Sequence, residues 1–217
     1  MKRLYIVVEG QTEQEFVNEI LRPYLNSYEI YDVTPVPVRT SRTGRGGLVN
    51  YEHLKNTIKP LLETKGENIV VTTFIDYFRI PSNMPHYDAC MRFGHSNDKV
   101  EKLEQSIDKN INDRRFFSYI QLHEFEALLF SNNNGFKEYF TEKQSKLTDV
   151  IVKEFNNPED INTRPQYAPS KRILEIKENY NKPLEGNLIA LEIGINEMLK
   201  RCTRFSIWVN RLIQECK

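Results

Sequence analysis

The sequence predicts an α/β fold in which a mostly parallel sheet is flanked by helices and a helical cap follows in the C-terminal third. Short apolar runs rich in β-branched residues alternate with segments of helical periodicity, an order typical of parallel sheets. The three clearest runs are Leu4–Val8, Ile69–Ile75 and Phe116–Leu122. From about Gly135 only helical periodicity is visible. We therefore expect an α/β core over 1–134 and a helical region over 135–217 packed on it.

The elements of the core are expected in a regular alternation. They are strand Leu4–Val8, helix Gln14–Tyr24, strand Tyr31–Val38, helix Tyr51–Leu62, strand Ile69–Ile75, a helix capped by Asp98 and running through Asn112, strand Phe116–Leu122 and a helix beginning at His123. Pro23 should close the first helix, and Pro35 and Pro37 favour an edge position for the second strand. Tyr77–Asn97 has no sustained periodicity, and irregular segments of this length are often functional.

The C-terminal region is expected to be entirely helical. Its apolar residues recur at helical spacing in four segments separated by Asn-Pro, Arg-Pro and Lys-Pro pairs. The predicted helices are Lys146–Phe155, Ser170–Tyr180, Asn187–Lys200 and Phe205–Cys216.

Composition excludes several classes of protein. The 217 residues include 30 basic and 30 acidic side chains, so no global charge attracts a polyanion or a membrane surface. Three widely spaced cysteines form no metal-ligand motif and are typical of reduced thiols. No apolar run is long enough to cross a membrane. We expect a cytoplasmic protein without a membrane partner.

Acidic residues follow each of the three clearest strands. Glu9 and Glu13 come after the first, Asp76 ends the second, and Glu124 and Glu126 follow the third. Ligands bind at the carboxyl ends of strands in open α/β sheets, and converging carboxylates suit a hard divalent cation such as Mg²⁺. The sequence therefore predicts a metal site formed by these side chains.

Two of these assignments have alternatives. Glu13 would also be expected in a first helical turn, where a carboxylate complements the helix dipole. Glu124 and Glu126 face one side only while the backbone is extended and diverge on a helix, so we expect one of them in the site, with Glu124 slightly favoured. His123 is a candidate base or ligand, although histidines at helix starts often bond only the nearby backbone.

Basic residues that could contact a phosphate occur in two places. Arg42 and Arg45 lie in a glycine-rich loop over 40–47, whose backbone amides and guanidinium groups suit phosphate oxygens. Lys171 and Arg172 lie at a predicted helix start, where the dipole disfavours cations unless they face an anion. A flexible basic loop and a solvated helix end are the competing interpretations.

Several motifs together resemble domain-of-unknown-function family 4276 over almost the whole chain. They are Val8-Glu9-Gly10-Gln11-Thr12-Glu13, Ile75-Asp76-Tyr77, Tyr119 through Phe130 with its His-Glu-Phe-Glu-Ala block, Ala168-Pro169-Ser170-Lys171-Arg172, and Cys202-Thr203-Arg204-Phe205 up to Trp208. The resemblance implies a Toprim-like fold related to the nuclease domain of OLD (overcoming lysogenization defect) proteins. Some members of that family resemble components of bacterial antiphage systems encoded beside an ATPase.

The resemblance implies a nuclease that uses Mg²⁺ or Mn²⁺ to hydrolyse DNA or RNA, with an ATPase as partner. Glu9 and Asp76 match the Toprim glutamate and the first aspartate of its Asp-x-Asp pair, whereas Phe78 stands where the second aspartate belongs. Lys171 or Arg79 would support the developing charge.

Two other functions compete with the nuclease. The missing second aspartate favours a non-catalytic adaptor or regulator of an ATPase partner, whereas acidic residues at three strand ends favour an enzyme. A small-molecule phosphotransfer enzyme is the third hypothesis, and the absence of a P-loop motif weakens it.

Overall fold

A computed structural model describes residues 2–39, 48–63, 68–161 and 165–217. The predicted α/β fold, with a mostly parallel sheet flanked by helices, is confirmed. The strands are β1 (Arg3–Val8), β2 (Val33–Pro37), β3 (Ile69–Asp76), β4 (Phe116–Phe117) and β5 (Ile120–Gln121). The helices of the first half are α1 (Gln11–Phe16), α2 (Arg22–Asn26), α3 (Tyr51–Leu62), α4 (Tyr87–Cys90), α5 (Ser96–Ile111) and α6 (Glu126–Leu129). The later helices are α7 (Asn134–Tyr139), α8 (Glu142–Glu154), α9 (Pro169–Ile176), α10 (Asn187–Ile193), α11 (Ile195–Arg201) and α12 (Thr203–Cys216).

The sheet is parallel throughout the strand pairs described, with the order β2-β1-β3-β4 and β5 also paired to β3. β2 is an edge strand, as its two prolines indicate. The chain passes from β1 to its neighbour β2 on one side of the sheet. From β3 it passes to β4 and β5 on the opposite side of the sheet. The connections thus diverge between β1 and β3, which is the topological switch point where open α/β sheets bind ligands.

The strand predicted over Phe116–Leu122 is divided into β4 and β5. Between them, Tyr119 N donates to the side-chain hydroxyl of Thr73 over 2.8 Å, and this hydroxyl donates to Tyr119 O over 2.7 Å. A threonine side chain therefore replaces part of the backbone ladder. β5 still ends level with Asp76, which pairs with Gln121.

Several predicted helix limits were wrong. Helical structure continues past Pro23 to Asn26, because a π-helical segment over Val17–Leu21 shifts the hydrogen-bonding pattern before the proline. α5 begins at Ser96 with His95 as its N-cap, so Asp98 is not the cap. The helix predicted over Asn187–Lys200 is broken at Gly194, whose φ of 77° favours glycine.

The chain around His123 also differs from the helix predicted there. His123 has a φ of 71°, and only the short α6 follows. The left-handed turn changes the chain direction after β5, so Glu124 and Glu126 do not lie on one regular helix. The short Asn134–Tyr139 helix and a π-helical segment over Lys182–Gly186 were not predicted.

Two apolar cores lie on opposite faces of the sheet. Leu4, Ile6 and Val8 of β1 belong to a core with α1 and α12, whereas Val7 belongs to a core with α3 and α5. This alternation follows from the two-residue period of a strand. None of the helices in the described ranges is long and apolar enough to cross a bilayer.

Trp208 attaches α12 to the sheet. Its ring stacks on Tyr119 with centroids 4.5 Å apart, and its indole Nε1 donates to Thr72 Oγ1 over 3.1 Å. The side chain is buried. The C-terminal region therefore shares a core with the sheet through both packing and a buried hydrogen bond.

We expect Trp208→Phe to lower the free energy of unfolding by about 2 kcal/mol, because the smaller ring loses stacking area and leaves Thr72 without its donor. Urea unfolding followed by circular dichroism measures the change. Ile207→Ala is the matched control, since the neighbouring Ile207 is 64% exposed. Equal stability of the two variants would contradict this role for Trp208.

Candidate metal centre

The acidic residues after β1, β3 and β5 meet at the switch point. Val8 of β1 pairs with Phe74, so Glu9 lies level with the last residues of β3, where Asp76 ends the strand. Glu13 lies in the first turn of α1, and Glu126 opens α6. The parallel sheet is the reason that residues distant in sequence share one edge.

Lys182 lies at the centre of this group. Its Nζ is 3.0 Å from Glu126 Oε2, 3.3 Å from Asp76 Oδ2 and 3.6 Å from Glu13 Oε1. The three carboxylates come from α6, β3 and α1, so one ammonium connects three elements of the core to the C-terminal region. We call Glu9, Glu13, Asp76, Glu124, Glu126 and Lys182 the acidic cluster.

Backbone amides hold two of the cluster's glutamates. Glu9 accepts hydrogen bonds from Asp76 N at 3.2 Å and Leu48 N at 3.3 Å. Glu13 reaches back to accept from Gly10 N at 3.0 Å, as in a capping box. The helix-capping role expected for Glu13 and its place beside Lys182 therefore coexist, since its two oxygens have different partners.

Asp76 and Glu124 are fixed by the loop after β5 and by α9. Asp76 Oδ1 accepts from Phe125 N at 2.9 Å. The carboxylate of Glu124 accepts from Ser170 N and Ser170 Oγ, both at 2.9 Å. Glu124 was slightly favoured from the sequence, but it is Glu126 that contacts Lys182, whereas Glu124 binds the start of α9.

Glu126 is the most unusual member of the cluster. Its side chain is 0% exposed, and neither oxygen has a well-aligned hydrogen bond among the described residues. The 3.0 Å approach of Lys182 to Oε2 is therefore an ion pair without good hydrogen-bond alignment, and Oε1 has no donor. Buried carboxylates normally have partners because desolvating an unpaired charge is costly.

Burial and mutual repulsion perturb the acidity of the cluster. Burial, followed by the charges of Asp76 and Glu13, raises the pKa of Glu9 to about 8. Burial also raises the pKa of Glu126 to about 8, although the Lys182 charge opposes the shift. The pKa values of Glu13 and Glu124 are raised too, with burial as the main cause in both. The carboxylates raise the pKa of Lys182 well above its ordinary value, so its ammonium stays charged.

The donor set suits a hard divalent cation, but the oxygens are not arranged as ligands. Mg²⁺ takes oxygen ligands at about 2.0–2.1 Å, and carboxylates are its usual protein ligands. In the part of the chain that the structure describes, no group of three or more His, Cys, Asp and Glu side chains already forms a metal site. Metal binding would require the carboxylates to approach a common point.

Lys171 and Arg79 lie beside Phe78, just beyond Asp76. Lys171 Nζ is 5.9 Å from the Phe78 ring centroid, and the Arg79 guanidinium carbon is 5.2 Å from it. Phe78 is thus bordered by two cations.

Arg172, which was also predicted to bind phosphate, is not brought to the cluster. Arg172 donates to Tyr167 O and Ile161 O, and its guanidinium carbon is 5.4 Å from the Phe155 ring centroid. Arg172 thus stabilises α9 and its surroundings. Arg42 and Arg45 lie outside the described residues.

His123 lines a different cavity. This cavity, of about 370 Å³, is also lined by His95, Asp98 and Glu159. Burial lowers the pKa of His123 to about 4, so the imidazole is neutral near pH 7. The turn at His123 positions the following carboxylates, while its own side chain faces away from them.

Lys182 and Tyr180 were missed by sequence reasoning. Lys182-Pro183 indicated only a helix break, and no local motif relates a lysine here to carboxylates near the N-terminus. The Tyr180 hydroxyl is buried without a described hydrogen-bond partner, and burial followed by the Glu126 charge raises its pKa well above the ordinary value.

The family model described as Domain of unknown function (DUF4276) matches residues 8–213. The chain belongs to this family. No curated protein matches the chain, and no solved structure matches it.

We expect the metal-free protein to lose stability as pH rises from 5.5 to 8.5. The pKa values of Glu9 and Glu126 are about 8 when folded and near 4.5 when unfolded, so the folded state holds more protons in this range. Unfolding then becomes more favourable with rising pH by about 3 kcal/mol for each group, and the thermal midpoint should fall by at least about 10 °C.

Glu126→Gln should make this pH dependence weaker and raise the midpoint at pH 8, because the amide carries no charge to desolvate. Scanning calorimetry with a chelator present measures both effects. Glu142→Gln is the control, since Glu142 is exposed and lies on α8. If the thermal midpoint of Glu126→Gln falls with pH as steeply as that of the wild type, Glu126 does not titrate in this range.

Proposed function

We propose that this protein is a Mg²⁺- or Mn²⁺-dependent nuclease that hydrolyses phosphodiester bonds of DNA or RNA. The observation that supports it most is the convergence of carboxylates from three strand ends on the switch point, with the fully buried Glu126 lacking an aligned donor. A buried carboxylate that is paired with Lys182 but accepts no aligned hydrogen bond among the described residues is the kind of group to which a metal ion would bind.

In this proposal the chain's own residues divide the work. Glu9, Glu13, Asp76, Glu124 and Glu126 are the carboxylates available to hold the cation. Asp76 is oriented by Phe125 N and Glu9 by Asp76 N, so both are fixed before a ligand arrives. A bound divalent cation would polarise the scissile phosphate and lower the pKa of an attacking water.

The substrate phosphate would contact cations next to the cluster. Lys171 and Arg79 flank Phe78, which lies two residues after Asp76. Their fixed positive charges would stabilise the charge that develops on the phosphate. The resemblance to Toprim proteins supports the same reaction, with Glu13 and Glu126 supplying carboxylates in place of the missing second aspartate.

We also propose that an ATPase partner, which the family resemblance implies, supplies part of the nucleic-acid affinity. The formal net charge is zero, and affinity for nucleic acid comes mainly from neutralisation of phosphates by basic residues. The three cysteines are free thiols, which fits action in the cytoplasm.

A non-catalytic adaptor is the second candidate, and Lys182 is the observation that favours it. An ammonium ion that pairs with Glu13, Asp76 and Glu126 could serve as a permanent structural counter-ion. The adaptor would retain the fold and bind an ATPase without binding a metal. Metal binding and cleavage distinguish the two candidates.

Mg²⁺ or Mn²⁺ should raise the thermal midpoint by roughly 5 °C at a concentration 100 times Kd, because the ion binds the folded state alone. Calorimetric titration should show release of protons from carboxyl groups with raised pKa values. Glu126→Gln should abolish both effects, whereas Glu19→Gln, at an exposed position, should retain them. Midpoints that do not change in millimolar Mn²⁺ would favour the adaptor.

Cleavage should depend on Asp76. We expect Asp76→Asn to reduce metal-dependent cleavage of labelled DNA or RNA at least about 100-fold, since it removes a charge from the proposed metal site. Asparagine is preferable to alanine because its carbonyl can still accept from Phe125 N. Asp88→Asn, at an exposed position, is the control.

Lys171→Ala should lower the cleavage rate while leaving the affinity for the metal ion unchanged. The assays should use the chain alone and the chain with its ATPase partner, and the complex should cleave faster. If the complex cleaves neither DNA nor RNA, or if Asp76→Asn cleaves as fast as the wild type, the nuclease assignment is wrong.

A further inference from the structure

Lys182 Nζ occupies a point shared by three buried carboxylates, which distinguishes it from a surface salt bridge. One nitrogen lies within 3.6 Å of carboxylate oxygens from Glu13, Asp76 and Glu126. These three residues come from separate elements, since Glu13 lies in α1, Asp76 in β3 and Glu126 in α6. Hard divalent cations are bound by several oxygens in this way, although at shorter distances.

The other two carboxylates have different partners. Glu124 is held by two hydrogen bonds from Ser170, and Glu9 accepts two backbone amides. Glu126, in contrast, has no aligned donor among the described residues, and Asp76 uses only Oδ1 for a backbone hydrogen bond. The oxygens nearest to Lys182, which are Glu13 Oε1, Asp76 Oδ2 and Glu126 Oε2, are thus ones that accept no backbone hydrogen bond.

Hydrogen bonds fix the backbone around Lys182, whereas the Lys182 side chain is partly exposed to solvent. Asn181 Oδ1 caps the Lys182–Gly186 segment by accepting from Leu184 N at 3.4 Å, and Asn187 Nδ2 donates to Thr12 O at 3.1 Å. The Lys182 side chain is 32% exposed. A long, flexible stem on a fixed backbone can move its ammonium to solvent without disturbing the fold.

The charges also permit a divalent ion in this position. Glu13, Asp76 and Glu126 together carry up to three negative charges, and Lys182 contributes one positive charge. A divalent cation at the same point would neutralise more of that charge than the ammonium does. Both cations cannot occupy one point, because their mutual repulsion at such short distances would be severe.

We propose that the metal position of this protein is the point held by Lys182 Nζ, and that a divalent cation binds Glu13, Asp76 and Glu126 by displacing this ammonium. This inference rests on the proposed function, since it requires that the acidic cluster binds a metal. It adds the identity of the ligands and an internal competitor that weakens metal affinity. Lys182 thereby sets the concentration of divalent cation at which the site fills.

The experiment compares Mn²⁺ binding to the full chain and to Lys182→Met by isothermal titration at pH 8. Methionine keeps much of the stem's volume and removes the charge. We expect a Kd for Mn²⁺ at least about 10-fold lower in Lys182→Met, because a repelling charge has been removed from the site. Lys146→Met, at an exposed position of α8, should bind as the wild type does.

The outcomes separate this inference from the proposed function. If the wild type binds Mn²⁺ and Lys182→Met binds it equally or more weakly, the proposal that the metal displaces Lys182 is wrong. The proposed metal site itself would still be supported. If neither binds Mn²⁺, both proposals are wrong. Glu126→Gln should weaken Mn²⁺ binding more than Glu124→Gln does, and the reverse order would overturn the ligand assignment.

A second measurement does not depend on the folding of the variant. Lys182 of the wild type should be acetylated slowly by acetic anhydride without metal, because its ammonium is held by three carboxylates. Saturating Mn²⁺ should accelerate its acetylation several-fold, as read by mass spectrometry, while Lys146 should react at the same rate in both conditions. Acetylation of Lys182 that is unchanged or slower when Mn²⁺ is bound would overturn the proposal.

Discussion

The repulsion among buried carboxylates at the switch point is the constraint on which the rest of the structure depends. Glu13, Asp76 and Glu126 are buried, and each carboxylate removed from water costs several kcal/mol unless it is paired. Lys182 provides the shared counter-charge, and Gly10 N, Leu48 N, Asp76 N and Phe125 N provide hydrogen bonds. The same bonds fix the loops after β1, β3 and β5, so the site and the sheet edge stabilise each other.

This constraint also explains why the C-terminal region is integral to the fold. Lys182 and Ser170, which pair with the carboxylates of the core, both lie in that region. Trp208 attaches its last helix to β3 through Thr72. Without these residues the carboxylates of the core would lose their counter-ion, and one face of the sheet would be exposed. The helical cap therefore shares both the apolar core and the electrostatics of residues 1–134.

Local patterns in the sequence predicted the elements but not all of their partners. The apolar runs before Glu9 and Asp76 gave the strands, and parallel pairing then brought the two carboxylates to one edge. Lys182 could not be predicted because its contacts depend on tertiary packing. Lys182 contacts Glu126 and not the slightly favoured Glu124 because the left-handed turn at His123 redirects the chain, and a non-glycine residue gives little sequence signal for such a turn.

The stability of the fold does not by itself explain the acidic cluster. Apolar side chains of similar volume at Glu126 and Lys182 would avoid the desolvation of a buried ion pair, and such replacements are often neutral or stabilising. A carboxylate with no exposure and no aligned donor is instead the kind of unfavourable arrangement that is found at functional sites. An adaptor that only presents a folded surface to a partner has no need of such a group. A metal-binding enzyme needs it, because a cation that these carboxylates approach together would relieve their mutual repulsion.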